Sequence, residues 1–72
     1  MSIAVKLNNA LGALAMGQSK DLINAIKLAR RFKSWNNWQK NNIGKVISIL
    51  TDRKHMSMQV RGNLAFETFI GI

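Results

Sequence analysis

The sequence predicts a mainly helical fold: an N-terminal helical hairpin, a third helix and a small C-terminal β-hairpin. Three observations carry that expectation. Proline, the strongest helix breaker, is absent from all 72 residues. Apolar residues recur at helical spacing from Ile3 to Leu50. Beyond Asp52 the pattern changes to a period of two, the spacing of a strand. A chain of this length makes one small domain, 1–72.

The elements follow in order. Ile3, Leu7, Leu11 and Leu14 lie on one helical face, and Ala4, Ala10 and Ala13 add helix propensity beside them. Gly17 suits a C-cap, Ser19 an N-cap, and Asp21 the first turn of a second helix, where the helix dipole favours an anion. That helix runs from Lys20 to Phe32 or Lys33. Leu22, Ala25, Ile26, Ala29 and Phe32 line one side, with Leu28 at its margin. Lys20, Asn24, Lys27 and Arg31 stack opposite, with Arg30 adjacent. The link Gly17-Gln18-Ser19 is short enough to fold the two helices back on each other. Residues 34–42 are amide-rich and read as a loop or a poor helix, because asparagine competes for backbone hydrogen bonds.

A third helix is expected from near Asn42, with Ile43, Val46, Ile47 and Leu50 on one face and Asp52-Arg53-Lys54 closing it. Its Lys45–Leu50 stretch would also suit a buried strand. Met56, Met58 and Val60 then alternate with Ser57, Gln59 and Arg61. Gly62-Asn63 reads as a turn pair, and Leu64 to Ile70 is β-compatible. The segment 56–70 reads as a hairpin, with a fourth helix as the alternative.

Composition bounds the function. A chain this short buries only about 60% of the surface that its unfolded form exposes. Yet 47% of its residues are hydrophobic, and no disulfide or Cys/His metal site can staple it. We expect another chain to complete the apolar surface, as a homo-oligomer or with an obligate partner. The lack of cysteine fits a reducing, cytoplasmic setting. The apolar run Val46–Leu50 falls far short of the roughly 20 residues of a membrane span. Asn8, Asn9 and Gly12 interrupt the N-terminal apolar stretch, so it reads as a helix rather than a cleaved signal.

Catalysis finds little to work with. His55 is the only histidine, and Asp21, Asp52 and Glu67 are scattered along the chain. The glycines form no phosphate-cradling spacing. We expect a non-enzymatic protein with no cofactor and no metal.

Charge points to binding instead. Eleven Lys and Arg oppose three acids, and the stretch from Lys20 to Lys45 holds seven of those cations against Asp21 alone. So one-signed a surface costs self-repulsion and fits a polyanionic or acidic partner. Lys20, Lys27, Arg30, Arg31, Lys33, Lys40 and Lys45 are the candidate nucleic-acid contacts, able to neutralise a row of phosphates. Trp35 and Trp38 are candidate protein-interface anchors, or plugs of the core at a helix junction. A winged-helix arrangement, with Ile43–Lys54 as recognition helix and Met56–Ile70 as wing, is a second fold. Its recognition helix would be poor in polar side chains.

In length and overall sequence the chain resembles the antirepressors carried by filamentous vibriophage satellites. The resemblance spans the chain without a motif, and it carries no residue roles. It implies a protein that binds a phage repressor and takes it out of action. Two mechanisms therefore stand side by side: a basic helix face on nucleic acid, and an apolar and tryptophan surface on a DNA-binding protein partner.

Overall fold

The computed structural model describes residues 2–32, 37–52 and 57–71, and of residues 37–39 only the backbone. Four helices stand among the described residues: α1 (Ile3–Ala15), α2 (Leu22–Arg31), α3 (Asn37–Thr51) and α4 (Met58–Ile70). α1 and α3 each pack on both α2 and α4, so the helices close a ring of neighbours around one core.

α1 matches its pattern. The Ser2 Oγ accepts from the Val5 N–H at 3.2 Å and caps the helix. Leu7, Leu11 and Leu14 are buried. At the far end the Gln18 N–H donates to the Ala13 carbonyl at 2.9 Å and the Gly17 N–H to the Leu14 carbonyl at 3.1 Å. This double closure requires a left-handed residue, supplied by Gly17 at φ +73°.

α2 begins later than the expected Lys20. Its N-cap is Asp21, whose Oδ1 accepts from the Asn24 N–H at 3.0 Å, and not Ser19. Ser19 sits two residues back, accepting from the Asp21 N–H at 3.1 Å. A carboxylate is the stronger acceptor at the positive end of a helix, so the cap moves to Asp21 and Lys20 falls outside. Ala25, Leu28 and Ala29 are buried, while Leu22 and Ile26 are only partly so. Leu28, expected at the margin, belongs to the core because α2 has a neighbour on either side.

α3 starts at Asn37, five residues before the expected Asn42, so the amide-rich stretch from there on is helical. Asn42 does more than tolerate the helix: its Nδ2 donates to the Thr68 carbonyl at 3.5 Å and ties α3 to the end of α4. Ile43, Val46 and Leu50 are buried. Tertiary packing thus overrides the modest propensity of Asn, Val and Ile. The helix ends at Thr51, whose Oγ1 donates to the Ile47 carbonyl at 2.9 Å. Arg53 and Lys54, expected to close it, lie outside the described residues.

The C-terminal hairpin is not formed. Met58–Ile70 is a helix, and no strand occurs among the described residues, so the wing of a winged helix is missing as well. The Ser57 Oγ starts α4 by accepting from the Val60 N–H at 3.2 Å. Its inner face is Met58, Gly62, Ala65 and Phe69, a helical spacing hidden by the coincidental alternation before it. Gly62, read as a turn residue, is where the α4 backbone comes close to that of α1. A Cβ there would lie 2.5 Å from the Leu14 Cβ and 2.9 Å from the Ala15 nitrogen. The absent side chain is what lets the two backbones meet.

The first turns of α4 also close two other helix ends. Gln59 Nε2 donates to the Ala15 carbonyl of α1 at 3.1 Å. Arg61 Nη1 donates to the Leu50 carbonyl of α3 at 3.2 Å, supplying a cation near the negative end of that helix. At the other end of α4, the Phe69 ring meets Phe32 edge-on at 5.6 Å between centroids.

Candidate nucleic-acid interface

At about 100° per residue, Lys27 and Arg31 share one side of α2, with Arg30 a step around it, and Lys20 stands just before the helix, ahead of its N-cap. All four are exposed. The buried Ala25, Leu28 and Ala29 point the other way, so packing fixes this face outward. Asp21 is the one acid in the stretch from Lys20 to Arg31, and it keeps its negative charge while capping the helix. Four cations in that stretch therefore stand against one carboxylate.

α1 adds to it. The shallow groove between the two helices is lined by Lys6, Asn9 and Ala10 of α1 and by Asn24, Leu28 and Arg31 of α2. Farther along, Ser2, Ile3 and Ala4 meet Arg30, Arg31 and Phe32 around an open hollow. The start of α1 therefore lies beside the end of α2, the antiparallel hairpin expected from the Gly17-Gln18-Ser19 link. Lys6 was not among the cations singled out from sequence. The available signal was the row Lys6, Asn9 and Ala13, set off from the leucine face of the same helix.

The other candidates are spread further. Lys40 and Lys45 are exposed on α3. Asn42 reaches α4, and Lys45 follows it on that same flank, whereas Lys40 shares the flank of Ile47 on the α2 side. Lys40 therefore borders the α2 face and Lys45 sits apart from it. Lys33 and Trp35 lie outside the described residues, as does the side chain of Trp38, whose backbone belongs to the first turn of α3.

One apolar residue interrupts the basic face. Ile23 is 67% exposed and shares the surface row of Lys27 and Arg30 on α2. Other large apolar side chains, among them Met16 at 68% and Ile70 at 59% exposure, lie on other helices or beyond their ends. No helix among the described residues is long and apolar enough to cross a membrane.

The described residues form four helices, two of which, α1 and α2, present a cationic surface. No protein-family model, no curated protein and no solved structure matches the chain.

Proposed function

We propose that this is a small, non-enzymatic, basic regulatory protein that binds nucleic acid through the exposed face of α2. The observation that carries the reading is the exposure of Lys27, Arg30 and Arg31 on the outward side of α2, with exposed Lys20 just before the helix and Asp21 the one acid in that stretch. Such a face contacts phosphates, releases counterions and gives affinity without reading bases. Sequence selectivity would have to come from elsewhere in the chain.

A second reading rests on Ile23. An exposed isoleucine in line with Lys27 and Arg30 resembles part of a protein interface, apolar at its centre and polar at its rim. In that reading the chain acts as an antirepressor, holding a DNA-binding repressor through α2 and the tryptophan segment. Capture from a host lysate with and without nuclease separates the two. Nucleic-acid binding predicts that nuclease removes what the chain retains, and a discrete protein retained after nuclease favours the antirepressor. Ile23→Ser should release that protein while sparing any nucleic acid.

A further inference from the structure

The basic face of α2 does not end at α2. Across the groove stands Lys6, so Lys6 and Arg31 border one depression from opposite helices, with Asn9 and Asn24 beside them. Ala10 and Leu28 form its apolar floor, and no acid lines it among the described residues. Asp21, at the other end of α2, is roughly 15 Å from Arg31 at the rise of a helix. Two cations on opposite banks of one groove match the phosphodiester backbone, whose oxygens take hydrogen bonds from Lys and Arg alike.

We propose that this groove seats the sugar–phosphate backbone, with Lys6 and Arg31 as the paired cations of the seat. The strand then crosses the α1–α2 pair and does not run along α2 alone. The proposal rests on the nucleic-acid reading above and adds to it a residue and a path.

The test is a salt titration of binding by the full chain, followed by fluorescence anisotropy of labelled duplex DNA and of a labelled single strand. Lys6→Gln is compared with Lys45→Gln, which removes the same charge from the α4 flank of α3 and measures the effect of net charge alone. We expect Lys6→Gln to lower the slope of log affinity on log salt by about 0.9 on duplex, or about 0.7 on single strand. Lys45→Gln should leave the slope near that of the wild type. Both lysines are exposed, so the melting curves of the two variants should overlay the wild type. A Lys6→Gln slope no lower than that of Lys45→Gln overturns the groove while leaving the α2 reading in place. A wild type that binds neither probe overturns both.

Discussion

The two halves of the molecule are built on different terms. In the α1–α2 half, large side chains fill the seam: Leu7, Leu11, Leu14 and Leu28 are buried, and the outer surface carries five cations against Asp21. In the α3–α4 half, α4 lays the small residues Gly62 and Ala65 on the core, and its backbone meets α1 at Gly62. There Lys40, Lys45, Arg53, Lys54 and Arg61 are set against Asp52 and Glu67, and Arg61 donates to the end of α3. Hydrophobic periodicity records bulk. It reads a seam filled by leucine and misses one in which contact depends on a missing side chain.

The largest effect should come from the leucine seam. Leu11→Asp places an unpaired charge at a fully buried position, at a cost of several kcal/mol. A domain of this size has roughly 4–11 kcal/mol in total. Loss of the helical circular dichroism signal at 25 °C is the expected result.

Gly62→Ala should come next. Its methyl group would press on the Leu14 side chain and on the backbone of Ala15, which cannot step aside. We expect a loss of about 1–3 kcal/mol in urea unfolding, despite the better helix propensity of alanine. Ser57→Ala removes the cap of α4 and should cost about 1 kcal/mol. The mildest change has the opposite sign. A Cβ at Gly44, exposed within α3, would meet nothing within 4 Å, so Gly44→Ala should stabilise by about 0.5–1 kcal/mol. Its melting midpoint should rise by roughly 4–8 °C per kcal/mol. Opposite signs at Gly44 and Gly62 would sharpen the contrast; equal signs would break it.

The same contrast explains what was legible in the sequence. The α1 leucines, the Gly17 cap and the outward basic row of α2 could all be read, because each depends on residues within a turn or two. The N-cap of α2 was misread because Ser19 and Asp21 both suit it, and only the chain geometry chooses. The start of α3 was missed because Asn42 gains a partner 26 residues away. α4 was taken for a hairpin because Gly62-Asn63 carries the local mark of a turn while serving a contact with Leu14, 48 positions earlier. In the candidate interface, the α2 cations were visible as a charge run. Lys6 joins them only once α1 folds beside α2.

The most direct test of the central claim is filter binding at about 0.15 M salt, comparing the wild type with the Lys27→Gln, Arg30→Gln, Arg31→Gln triple variant. All three residues are exposed, so the variant should stay folded, with a small loss of stability from removing the two cations of the last turn of α2. The wild type should retain nucleic acid with a Kd of about 10⁻⁴ to 10⁻⁶ M, and the variant should bind more weakly, its salt slope on duplex lower by roughly 2.7. No retention of duplex DNA, duplex RNA or single strands by the wild type would contradict the claim, as would a triple variant that binds equally well.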